Sequence, residues 1–77
     1  MYKPLTVSYP LPDYVQDAVK ALLDYLNTPG DHTSDDIYRT EVQLALRDAY
    51  AAGRITEREW EELKEYYVWK GYDKQRG

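Results

Sequence analysis

The sequence predicts an all-α protein, a small three-helix domain with an extended N-terminal arm. Three observations lead there. Apolar residues recur at helical spacing through most of residues 13–70. Start and stop signals punctuate that pattern, the clearest being Thr56-Glu57-Arg58-Glu59 before one helix and Gly53 after another. Three of the four prolines fall within the first twelve residues, where they oppose both helix and interior strand. A chain of 77 residues makes one domain, and a domain of that size buries only about 60% of its unfolded surface.

Residues 1–12 form the arm. Leu5, Val7, Tyr9 and Leu11 alternate with Thr6, Ser8 and Pro10, the period of an extended chain with one apolar edge. Pro4, Pro10 and Pro12 lack a backbone donor and hold their predecessors out of the helical region. The arm is expected to lie over the helices; donation to another chain is the alternative.

The first helix is expected over 13–27. Asp13 can cap the first turn while Gln16, three residues on, reaches back. Tyr14, Ala18, Ala21, Leu22, Tyr25 and Leu26 form an apolar stripe, flanked by Val15, Val19 and Leu23. A stripe so wide implies contact on two sides. Asn27-Thr28-Pro29-Gly30 ends it.

The second helix is expected over 34–52, with Asp35 and Asp36 in a first turn whose free amides favour negative charge. Tyr38, Val42, Ala45, Ala49 and Ala52 make a mostly small stripe, with Leu46 and Tyr50 beside it, and Gly53 supplies a left-handed stop. The third helix is expected over 56–70. In its capping box the Thr56 hydroxyl takes the Glu59 amide and the Glu59 carboxylate returns to the Thr56 amide. Ile55 and Trp60 stand at the staple positions around that cap, and Trp60, Leu63 and Tyr67 continue the buried stripe. Gly71 is the expected stop, with 71–77 as a tail. The run Tyr66-Tyr67-Val68-Trp69 carries high strand propensity, and pairing it with residues 5–9 is the alternative arrangement.

Composition excludes several function classes. With no cysteine the chain can hold no disulfide, cysteine-ligated zinc or thiol nucleophile. No apolar run approaches the roughly 18 residues of a membrane span, and no basic n-region precedes an apolar stretch, so the cytoplasm is the expected location. Catalysis needs convergent groups with tuned proton affinities. The one histidine, His32, sits among Asp31, Thr33, Ser34 and Asp36 at a helix start, where capping already accounts for those residues. Asp31, Thr33 and Asp35 alternate as calcium ligands do. An EF-hand loop counted from Asp31 needs glycine at its sixth position and glutamate at its twelfth, and it meets Asp36 and Val42. The glycines are isolated, so no phosphate loop exists. No enzymatic activity, cofactor or metal is expected.

Direct nucleic-acid binding is also disfavoured. Residues 34–70 form a helix–turn–helix in the geometric sense, and Ala49 followed by Gly53 matches part of its turn. The next helix would be the reader, yet residues 56–65 carry five glutamates against two bases, which repels phosphate. Residues 13–36 hold six aspartates against one lysine, more than the whole net charge of −4. Such a surface either keeps a small protein soluble or steers it toward a basic groove.

The stretch Leu44–Tyr67 (LALRDAYAAGRITEREWEELKEYY) resembles the SHOCT, or short C-terminal, helical hairpin. Gly53, Ile55, Thr56, Glu59, Trp60 and Leu63 carry the likeness, which departs from the family pattern at Arg54 and covers about a third of the chain. The resemblance implies an appended interaction or oligomerisation module and brings no catalytic residue with it.

Nine tyrosines and no phenylalanine mark positions with one apolar side and one wet end. Tyrosine and tryptophan concentrate binding energy at protein interfaces. A patch of Tyr2, Tyr9, Tyr66, Trp69 and Tyr72, with Asp17 and Asp24 on the acidic helix, is therefore the expected partner-binding surface. The expected function is a small acidic interaction module that binds and modulates a larger protein. The fitting class is a phage or mobile-element inhibitor of a host nucleic-acid-handling or defence complex. The alternatives are a small helix–turn–helix DNA-binding regulator and a homo-oligomeric structural module, a homodimer with exchanged arms among them.

Overall fold

The computed structural model describes residues 2–69, and within them the chain is all-α. Three helices follow the arm: α1 (Asp13–Asn27), α2 (Asp35–Ala51) and α3 (Glu57–Tyr67). Their order and the arm agree with the expectation, while each end has its own physical cause.

The α1 start differs from the expected cap. Pro12, with φ −58° and ψ 151°, occupies the cap position and Asp13 is already helical. The Pro12 carbonyl accepts from the amides of Val15 (3.0 Å) and Gln16 (3.1 Å). Gln16 does reach back, but its Nε2 donates to the Leu11 carbonyl at 2.7 Å. Proline's fixed φ sets the turn, and the Asp13 carboxylate stays in the first turn near the positive end of the dipole. At the far end the Thr28 hydroxyl donates to the Asp24 carbonyl at 2.6 Å.

The α2–α3 connection follows the sequence closely. Ala51 ends α2, and Gly53 adopts φ +72°. The Arg54 amide then donates to the Ala49 carbonyl (2.8 Å) and the Gly53 amide to the Tyr50 carbonyl (3.0 Å), the paired bonds of a Schellman stop. The capping box of α3 is complete, with the Glu59 amide donating to Thr56 Oγ1 (3.1 Å) and the Thr56 amide to Glu59 Oε1 (2.8 Å). Ile55 is buried and Trp60 packs against the same core.

α3 ends at Tyr67, earlier than expected. The amides of Val68 (2.8 Å) and Trp69 (3.0 Å) both donate to the Lys64 carbonyl, which closes the last turn. The Val68 carbonyl is taken from across the fold by Arg39 Nη1 at 3.1 Å. Arg39 Nε lies 3.4 Å from the Asp35 carboxylate one turn earlier on α2, an ion pair shielded from solvent on both sides. The expected stop at Gly71 and the tail 71–77 lie outside the described residues.

The core is wholly apolar among the described residues, and Val15, Leu22, Val42, Leu46 and Leu63 are its most enclosed aliphatic side chains. α2 packs against both α1 and α3, while α1 and α3 barely touch. The arm fills the seam between them, with Leu5, Val7, Tyr9 and Leu11 turned onto the core. It does so without forming a strand. Tyr66 and Tyr67 stay helical, and their hydroxyls supply what a partner strand would have supplied. Tyr66 Oη donates to the Lys3 carbonyl at 2.6 Å, and the Leu5 amide donates to Tyr67 Oη at 2.9 Å. Asn27 clasps Tyr2 on both sides, accepting from its amide (2.8 Å) and donating to its carbonyl (2.9 Å).

Substitution at position 67 separates the two parts of this clasp. Tyr67→Phe keeps the packing but strands the Leu5 amide, and is expected to cost about 1 kcal/mol. Tyr67→Ala also empties a core site and is expected to cost about 3–5 kcal/mol. Thermal and urea unfolding of the two variants measure both losses; equal losses would contradict this division.

Candidate functional site

The residues expected to form a partner-binding patch fall into separate places. Tyr66 is 6% exposed, its ring in the core and its hydroxyl on the arm. Tyr2 is half-buried, with its backbone held by Asn27. Tyr9 is half-buried on the α3 side of the arm, and its hydroxyl oxygen is enclosed without a hydrogen-bond partner. Trp69, at 70% exposure, is the most open large apolar side chain among the described residues. Tyr72 lies outside them. Asp17 and Asp24 are exposed on α1, and Asp24 pairs with Lys20 at 2.8 Å.

Three of these residues do converge. Tyr2, Asp17 and Asp24 line a cleft of about 620 Å³ between the arm and α1, floored by Leu5, Val19 and Leu23. Its rim mixes Lys20 and Lys3 with the aspartates, so it presents no single sign of charge.

A second surface lies outside the expected patch. On the other side of the α1/α2 hairpin, Tyr14 and Ala18 of α1 face Leu44, Ala45 and Asp48 of α2 and Ala52 just beyond it across an open cleft of about 630 Å³, with Glu41 also on its wall. Tyr14 is 42% exposed and Leu44 46%. Ile37, 60% exposed, shares one helical face with Glu41, Leu44 and Asp48 by its spacing along α2. A signal for this surface exists in the sequence. Tyr14 and Ala21 belong to the part of the wide α1 stripe that the core leaves exposed, with Ala18 partly buried at its edge, the buried face being Val15, Val19, Leu22, Leu23 and Leu26. Periodicity marks both stripes as apolar and does not say which one the arm and α3 cover.

The remaining aromatic residues have internal roles. Tyr25 stacks on Tyr38 with ring centres 4.4 Å apart and meets His32 edge-on at 5.3 Å. Its hydroxyl donates to the Asp31 carbonyl (3.3 Å) and accepts from the Ser34 amide (3.0 Å), tying the α1–α2 loop to the helix before it. His32 Nε2 donates to the Thr28 carbonyl at 2.6 Å. Both carboxylate oxygens of Asp31 turn inward to Thr33, one to its amide (3.1 Å) and one to its hydroxyl (3.3 Å), an Asx turn. The loop's hydrogen bonds thus serve its own folding. Tyr50 stacks on Trp60 at 4.7 Å, with Lys64 Nζ 4.1 Å over the Trp60 ring. Among the described residues no group of three histidine, aspartate or glutamate side chains is placed to hold a metal ion. No described helix is long and apolar enough to cross a membrane.

No family model matches the chain, and neither a curated protein nor a solved structure matches it. The likeness to the SHOCT hairpin therefore rests on residues 44–67 alone.

The arm clasp has an electrostatic signature. Burial first, then the Glu62 and Glu59 carboxylates, push the Tyr9 hydroxyl up to about 12 from 10.0. Burial also raises Tyr66, and it raises Tyr67 against the opposing effect of the Leu5 amide bond. Each hydroxyl is thus held protonated by folding, so its contribution is complete below the unfolded value near 10 and is lost as pH rises through the folded value. Stability should fall between pH 10 and 12, with Tyr9→Phe flattening part of that fall. Urea unfolding across this range checks it, and stability constant to pH 12 would contradict it.

Proposed function

We propose that the chain is a non-enzymatic interaction module that docks on a larger protein through the open face of the α1/α2 hairpin. The single observation that carries this reading is an apolar cleft bounded by Tyr14 and Leu44 and left uncovered by the arm and α3. Covering the aliphatic and aromatic side chains of this cleft with a partner removes their apolar area from water. The acidic character of α1 and of the outer face of α3, where Glu57, Glu61, Glu62 and Glu65 are exposed, suits a partner with a basic surface. Proteins that handle nucleic acid present such surfaces, and an inhibitor of phage or mobile-element type acting in the cytoplasm is the fitting class. The same glutamates count against direct DNA reading by α3.

Affinity capture from the native host, with wild type beside Leu44→Gln and Trp69→Ala, tests the reading. Leu44→Gln should weaken capture of the bound protein about tenfold, as loss of an interface anchor does, with circular dichroism and melting unchanged. Retention of every bound protein by Leu44→Gln, or a salt-dependent shift of duplex DNA by the wild type, would contradict it.

A further inference from the structure

The open face also specifies what fits it. We propose that its occupant is an amphipathic helix of a partner protein, one that lays small and aliphatic side chains into the cleft and flanks them with lysine or arginine; this rests on the docking reading above. α1 and α2 run antiparallel, since the cleft joins Tyr14 and Ala18 near the start of α1 to Asp48 and Ala52 at the end of α2, while Tyr25 near the end of α1 stacks on Tyr38 near the start of α2. Two antiparallel helices present a groove on each side. Here the arm and α3 complete one side, and among the described residues the other lacks the element that would make a bundle. From Ile37 to Ala52 the open wall of α2 runs about 22 Å at 1.5 Å per residue, the length of a helix of about fifteen residues. The floor at Ala18 and Ala45 is low enough for a helix axis to approach closely.

Charge selects among helices. Glu41 and Asp48 stand on the cleft wall, one turn from Leu44 on either side. Among the described residues no lysine or arginine lines the cleft. Lys20 is engaged with Asp24, Arg39 points to Val68, and Arg47, exposed one turn from Leu44 on the edge away from Glu41 and Asp48, lies outside the cleft lining. A second copy of this chain docked by the same face would set these carboxylates against their equivalents, a like-charge apposition that opposes self-association. A helix with flanking bases meets them with complementary charge.

The test is an amide chemical-shift titration of the full isotopically labelled chain with three helical peptides of about fifteen residues. All share one alanine/leucine face, and the flanking positions carry lysine, glutamine or glutamate. The lysine peptide should shift the amides of Tyr14, Ala18, Leu44, Ala45 and Asp48 and become helical on binding. Its affinity should fall with added salt, and by about fivefold in Glu41→Gln and again in Asp48→Asn. Asp36→Asn, which removes the same charge from a different face of α2, should leave it unchanged. Equal binding of the glutamine or glutamate peptide at these amides would overturn the basic-helix proposal while leaving the docking face standing. Equal weakening by Asp36→Asn would overturn it as a mere effect of net charge. Concentration-dependent shifts of the same amides in the free protein would overturn it in favour of a second copy as the occupant. Absence of shifts at these amides with every peptide would overturn the proposal together with this choice of face.

Discussion

The hydroxyls of Tyr66 and Tyr67 stand where the arm meets α3, and closure of the domain depends on them. α1 and α3 barely touch, so the seam between them has to be filled by an extended segment. An extended segment outside a sheet leaves its amides and carbonyls without ladder partners, and burying such a group unpaired costs about 1–3 kcal/mol. Two tyrosines and one asparagine resolve this by reaching the backbone of Tyr2, Lys3 and Leu5 from both flanking helices. Phenylalanine at 66 or 67 would fill the same space and leave the arm's polar groups stranded. Tyr25 does the same service for the α1–α2 loop. At these positions the preference for tyrosine over phenylalanine has a direct chemical reason: the ring serves the core and the oxygen serves the backbone.

That closure determines the two faces of the hairpin differently. The side under the arm is committed to the fold, and its cleft carries both signs of charge. The opposite side keeps Tyr14, Leu44 and Ile37 in solvent, and among the described residues the charged side chains on its cleft are acids. The asymmetry follows from having one arm for two grooves. The proposed function and the proposed occupant both grow from that asymmetry rather than from the abundance of tyrosine.

How much of this was legible in the sequence depends on the range of the interactions involved. The α2–α3 junction was readable because its determinants are local: Gly53, the Thr56–Glu59 box and Ile55 lie within a few residues of the bonds they make. The α1 cap lies one position before the expected one, because the intrinsic capping preference of Asp13 gives way to the fixed φ of Pro12 beside it. The end of α3 was unreadable for a different reason. The Val68 carbonyl just beyond it is claimed by Arg39, which is distant along the chain and adjacent only once α2 has docked. The same holds for the site. The exposure of Trp69 agrees with its position after the last helical turn, but the burial of Tyr66 is a consequence of the arm, which no helical periodicity encodes. Ile37 and Leu44 lie on the α2 face opposite Val42 and Leu46, interleaved with Glu41 and Asp48, so helical register places them at the surface but does not say that they border a cleft with Tyr14.

Backbone hydrogen exchange at Leu5 addresses the clasp most directly. If the Tyr67 hydroxyl receives this amide in a closed seam, it should exchange at least about a hundredfold more slowly than in an unstructured peptide, and the Tyr2 amide held by Asn27 should show protection of its own. A Leu5 amide that exchanges at the free-peptide rate while Leu22 in α1 stays protected would mean that the helices close without the arm, and the dependence of closure on the tyrosine hydroxyls would be contradicted.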